Sequence, residues 1–146
     1  VSQYAQISDL FLYGLREEAR ADIPDAVLTA NLVSASAMVD GYLVGRYGVG
    51  SMPLVSWDTE ITMWTAWIAV YLILSGPRGY APNGADDNIR QRYDDAKAML
   101  ARTQRQDYHP ILVPRTAQGS TAIQPLVISY SVVNLATGAT GANRGW

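Results

Sequence analysis

A chain of 146 residues is long enough to bury a core of its own, and 49% hydrophobic against only 16% charged residues excludes the disordered class. A formal net charge of -2 and a pI near 5.2 lack the basic field of a protein that coats nucleic acid. With no cysteine there is no disulfide framework, thiolate nucleophile or thiolate metal site, a composition that fits synthesis in a cytoplasm. No basic stretch followed by an apolar run opens the chain, so no signal peptide is expected.

Ser8-Asp9 reads as the cap of a short first helix over residues 9–15, which Gly14 frays. A long second helix begins near Asp22 to Pro24, where an acid caps and a proline fits the first turn. Leu28, Leu32, Ala35, Val39 and Tyr42 then recur at steps of four and three, one buried stripe. The run Gly48-Val49-Gly50-Ser51-Met52-Pro53 stops that helix at Tyr47. Near its end stand Gly41 and Gly45, four apart and on one face. Each costs about 1 kcal/mol against alanine in a helix, so the pair predicts close approach by another backbone or a bulky ring.

A third helix starts after Ser56, with Asp58 and Glu60 favourably placed in its first turn, and stops at Gly76-Pro77. Its stretch 61–74 is the one membrane candidate in this reading, and it falls short of the roughly 20 apolar residues of a spanning helix. Ile61, Trp64, Ile68 and Leu72 form one face, and Met63, Trp67, Val70 and Leu74 another. A helix apolar nearly all round is enclosed nearly all round, either as the core of one chain or with help from neighbouring subunits. Residues 78–84 form a loop by turn chemistry. A fourth helix follows from Asp86-Asp87, with Ile89, Tyr93, Ala96 and Leu100 inward and the pairs Asp86/Arg90 and Asp94/Lys97 on its surface.

Beyond Asp107 charge nearly vanishes: only Arg115 and Arg144 remain to the end of the chain. The run 126–133, with Leu126, Val127, Ile128, Tyr130, Val132 and Val133, reads as a strand, and the end after Ala136 as flexible. An apolar strand with open edges is an aggregation hazard. Pairing with another chain is the expectation, and a small hairpin folded on the helices the alternative. The chain is therefore expected to be mainly α: a bundle of about four helices over 1–107, with an extended, partly β arm over 108–146.

Catalytic chemistry finds little support. The single histidine, His109, lies between Tyr108 and Pro110 with no nearby cluster of acids and no second histidine to make a metal site. The doublets Glu17-Glu18, Asp86-Asp87 and Asp94-Asp95 are adjacent positions, which diverge on a helix. The glycines of 41–50 follow no strand and precede no Gly-Lys-Ser/Thr, so they make no phosphate loop. No catalytic residue, cofactor or metal is expected.

Tyr4 with Asp9-Leu10, the run from Ala35 to Tyr47 with its Asp40-Gly41-Tyr42-Leu43-Val44-Gly45-Arg46-Tyr47 element, Met52-Pro53-Leu54, residues 67–72, and Arg92 to Ala96 with Leu100 support a comparison. In these the chain resembles the small helical head-tail connector proteins of Mu-like tailed bacteriophages. The resemblance covers roughly the first two thirds. The tryptophan-rich third helix and the uncharged tail depart from it. It implies a structural virion subunit, made in the bacterial host and placed in the neck between head and tail. There it would form a ring, twelve-fold, beneath the portal protein, meet the next tail or neck protein, and surround DNA in transit without sequence-specific binding or a membrane.

On that reading Asp40, Gly41, Tyr42, Gly45, Arg46 and Tyr47 are candidates for a subunit interface. Asp40 and Arg46 are six apart, too far to pair along one helix face, so each needs its own partner. That partner is either on an adjacent subunit or, for Arg46, a set of helix carbonyls or an acid of the first helix. Glu17, Glu18, Asp86, Asp87, Asp94 and Asp95 are candidates for a channel wall, because an acidic wall lets a polyanion slide. The apolar arm is the candidate for binding the portal or a neighbour. The competing reading is a small helical DNA-binding or regulatory protein. It lacks a basic recognition helix, since Arg90, Arg92 and Lys97 are interleaved with Asp94 and Asp95.

Overall fold

The first helix, α1 (Ile7–Tyr13), begins two residues earlier than the sequence predicts, because Asp9 is not the cap but the third helical residue. Gln6 N–H donates to Asp9 Oδ2 at 2.7 Å while the Gln6 side chain accepts from the backbone of Asp9, a reciprocal capping box. Gly14, at φ 155°, ends the helix by donating to Leu10 O at 3.1 Å. These features come from a computed structural model, which describes residues 2–76 and 87–115.

A short 3-10 helix (Glu17–Ala21) leads into α2 (Asp25–Tyr47). Pro24 stands at its N-cap rather than in its first turn, and the Pro24 carbonyl accepts from Val27 and Leu28. The buried stripe is Leu28, Leu32, Ala35, Ser36, Val39 and Leu43. It continues through Leu43 rather than Tyr42, which is half-buried at its border. Gly48, at φ 88°, ends α2 where the sequence predicts. A 3-10 turn (Val49–Ser51) and a cis Met52-Pro53 bond follow.

Strand β1 (Ser56–Trp57) precedes α3 (Thr59–Leu74), whose N-cap Asp58 accepts from Thr59 N–H at 2.7 Å. Ile61, Trp64, Ile68 and Val70 are buried, with Met63, Trp67, Leu72 and Leu74 packed at the margins. The enclosure of α3 comes from its own chain, since α1, α2 and α4 (Asp87–Gln104) all pack against it. By length and composition α2, not α3, is the described helix able to cross a membrane, with a mean hydropathy of 1.4. Its apolar stripe instead packs on α3 and α4.

Helix α4 turns Ala96, Leu100 and Thr103 inward, with Ile89 and Tyr93 half-buried. Tyr93 stacks on Tyr71 at 4.0 Å, and Lys97 Nζ sits 4.8 Å from the Tyr93 ring rather than against Asp94. Asp86 lies outside the described residues.

After α4 the chain does not leave the body at 107. Strand β2 (Leu112–Val113) pairs antiparallel with β1, Trp57 opposite Leu112 and Ser56 opposite Val113. Arg115 N–H donates to Ser51 O at 2.8 Å, and the helical unit extends through Arg115. Residues 108–115, expected as the start of the arm, are thus part of the bundle's surface. Leu126, Val127, Ile128, Tyr130, Val132 and Val133 lie outside the described residues.

Candidate functional site

The residues singled out around Asp40 to Tyr47 converge with two distant segments, and Tyr4 is where they meet. Its ring is 1% exposed and meets Trp57 edge-on with centroids 4.9 Å apart. The Tyr4 hydroxyl donates to Asp40 Oδ1 and accepts from Leu54 N–H at 3.0 Å. Tyr4 N–H donates to Ser36 Oγ at 3.1 Å, and Tyr4 O accepts from Trp57 Nε1 at 3.1 Å. One residue therefore joins the N-terminal segment to α2, to the turn before β1 and to β1 itself.

The polar atoms this requires sit inside an apolar stripe. Ser36 and Asp40 are four apart on α2 and face the same way, so both need partners from outside the helix. Tyr4 serves both. Burial and the Asp40 hydrogen bond push the Tyr4 hydroxyl up to about 12. Burial also raises the Asp40 carboxyl, and the hydroxyl it accepts from opposes that rise. The Asp40 partner sought on an adjacent subunit is thus within the chain.

Arg46 has the same outcome at the other end of the run. Its Nη1 donates to Tyr108 O at 2.9 Å and to Thr103 O at 3.3 Å, and its Nη2 bonds His109 Nδ1. The guanidinium also lies 4.9 Å from the Tyr47 ring, which is half-buried. Arg46 therefore caps carbonyls at the end of α4 and fixes the turn into β2, the intrachain alternative of the two the sequence left open. Beside it, Tyr108 donates to Glu60 Oε1 and Oε2 at 2.7 Å, and the Glu60 carboxylate holds the Tyr108 hydroxyl above its ordinary range.

The two glycines differ. At Gly45 an added methyl would run into the Gln104 side chain, with Cγ and Cδ 3.0 Å away, so the close approach is made by α4 of the same chain. At Gly41 nothing lies within 4 Å, and the position is open. Tyr42 packs on the core from the border of the buried stripe. Of the candidate acids, Glu17, Glu18, Asp87, Asp94 and Asp95 are exposed.

A shallow depression of about 370 Å³ opens beside Tyr4, Asp9 and Trp57, but Tyr4 and Asp9 are already engaged in the contacts above. Among the described residues no three of His, Cys, Asp or Glu converge. The Tyr4 junction, the Arg46 receivers and the Tyr108–Glu60 pair are not visible as contacts in the sequence. The signal available for the first was two polar residues, Ser36 and Asp40, on an otherwise apolar face.

A comparison with curated proteins finds no match. Residues 4–121 match the family described as Bacteriophage Mu, Gp36, a span that opens on Tyr4 and takes in α2, the Arg46 contacts and both strands. With that share of its length matched, the chain belongs to the Bacteriophage Mu Gp36 family and is a Mu-like phage protein.

Proposed function

We propose that this protein is a structural virion subunit, a head-tail connector that assembles into a twelve-fold ring beneath the portal protein and surrounds part of the DNA channel. The observation that carries the reading is the family match over residues 4–121. The geometry agrees with a structural role. The charged and polar members of the Asp40 to Tyr47 run hold three segments of one chain together, which builds a rigid body rather than a reactive site. Gly41 keeps an open surface on α2 for a neighbour.

The exposed acids Glu17, Glu18, Asp87, Asp94 and Asp95, together with Asp86, supply candidates for a wall that repels phosphate, so that DNA passes without being held. The test is mass by light scattering, alone and beside the portal protein of the same phage. A ring, or a portal complex of defined stoichiometry, is the expected result. A chain that stays monomeric at 15.9 kDa under both conditions overturns the reading. Amide substitution of the acids should slow DNA release from assembled particles. No change in retention or release removes the channel-wall assignment while leaving the ring intact.

A further inference from the structure

Arg46 and His109 meet nitrogen to nitrogen at the exit of α4, where Arg46 Nη2 bonds His109 Nδ1. A guanidinium has five N–H donors and no acceptor, so the proton between them belongs to Arg46 and the Nδ1 lone pair receives it. The contact therefore requires a neutral ring that carries its own proton on Nε2. His109 is the single histidine of the chain, and it is exposed, so protons from solvent reach it.

We propose that this contact is a pH-sensitive latch: protonation of His109 sets a second N–H and a second positive charge against the guanidinium, parts the two side chains and loosens the turn from α4 into β2. Histidine is the side chain whose ordinary charge change falls between about pH 5 and 8. The surrounding charges do not absorb the new one. Among the described residues no carboxylate pairs with Arg46, whose other contacts are two carbonyls and the Tyr47 ring. On α3 the Glu60 carboxylate is taken by the Tyr108 hydroxyl, and Asp58 caps the helix. Arg102 of α4 adds a further positive charge beside Tyr108, and in the turn Asp107 pairs with Arg105 at 3.5 Å.

The turn depends on Arg46. Thr103 O accepts from Arg46 Nη1 at 3.3 Å and from Gln106 N–H at 3.1 Å, and Tyr108 O accepts from the same Nη1 at 2.9 Å. Asp107 N–H closes the turn on Arg102 O at 2.9 Å. Between them Gln106 holds φ 67°, a left-handed conformation that a side chain other than glycine keeps only where its surroundings fix it. A guanidinium pushed off its place weakens its hold on both carbonyls. The Gln106 and Asp107 amides are the reporters.

NMR on the full-length protein tests the latch, which does not depend on the ring reading. At about pH 8 the His109 ring should carry its proton on Nε2 and leave Nδ1 bare. From about pH 8 to about pH 5, exchange protection at Gln106 and Asp107, corrected for intrinsic rates, should fall about fivefold, the worth of one ordinary hydrogen bond. His109→Gln keeps an acceptor and does not titrate, so its protection should stay level over that range. Arg46→Ala should be poorly protected throughout, with no pH dependence left.

A ring protonated on Nδ1 at the alkaline end overturns the latch. So does wild-type protection that holds while the ring titrates, or a fall that survives in Arg46→Ala. An equal fall in His109→Gln overturns it as well, and assigns the effect to Asp58, Glu60 or Asp107.

Discussion

Tyr4→Phe isolates the junction with the least change of shape. It removes one oxygen and keeps the ring against Trp57, so packing at the 4.9 Å contact survives. Two groups lose their partner together: the half-buried carboxylate of Asp40, and the N–H of Leu54, a residue 5% exposed. A hydrogen bond to a charged group is worth about 1.5–3 kcal/mol, and an orphaned buried N–H costs about 1–3 kcal/mol. The two are coupled through one oxygen and do not add in full. The expected loss is therefore about 3 kcal/mol. For a unit of this size each kcal/mol moves the melting temperature by roughly 4 °C, so Tyr4→Phe should melt roughly 10 °C lower.

Urea unfolding gives the same quantity from the midpoint at unchanged slope. Tyr42→Phe is the control, because the Tyr42 hydroxyl makes no hydrogen bond among the described residues; it should stay within about 0.5 kcal/mol. If Tyr4→Phe also stays within that range, the junction does not hold the N-terminal segment to α2, and the reasoning fails.

The same hydroxyl sets an alkaline limit. A Tyr4 held at about 12 in the fold and near 10.0 when unfolded contributes stability that is complete below pH 10 and disappears as pH rises toward 12. The difference between wild type and Tyr4→Phe should accordingly shrink by at most about 3 kcal/mol across that interval; parallel alkaline profiles would refute it. Arg46→Ala should cost about 1–3 kcal/mol and speed hydrogen exchange at residues 103–113, since two carbonyls and His109 lose their donor together. Arg46→Lys, with one ammonium in place of a fork, should recover only part; exchange unchanged in both variants would count against the clamp. Gly41→Ala, in open helix, should raise monomer stability by about 1 kcal/mol. Gly45→Ala should come out near neutral, because the helical gain is offset by displacing the exposed Gln104 side chain. A Gly41→Ala that stabilises the monomer yet assembles normally removes Gly41 from any subunit contact.

The helices were legible because their signals are local. The α2 stripe, its stop at Gly48 and the inward Ala96 and Leu100 of α4 follow from periodicity and turn chemistry within a few residues, while Asp58, expected inside the first turn of α3, is its N-cap. The start of α1 was misplaced because Ser8-Asp9 carries the composition of a cap, while the capping box uses the same Asp9 from the third helical position. The junction was illegible for a different reason. Tyr4 meets Asp40 across 36 residues and Leu54 across 50, and no local pattern ties a tyrosine to partners that far away. Residues 108–115 misled by composition: few charges read as an arm, yet Pro110 is buried and Leu112 lies against the core.

These contacts reassign the Asp40 to Tyr47 run. Its two glycines, acid, base and tyrosines are a poor composition for a helix whose sole task is to pack, and contact between subunits was one account of them, beside an intrachain partner for Arg46. The structure divides the set. Asp40 anchors the N-terminal segment through Tyr4, Arg46 anchors the exit of α4, and Gly45 admits Gln104. Each serves a junction between elements distant in sequence, where loss of one partner would strand a polar group in a partly buried place. Gly41 alone has no such task, and it stands on a face of α2 open to solvent. Within this run Gly41 is therefore the position where a substitution can test contact with a neighbour without touching the junctions that hold the fold.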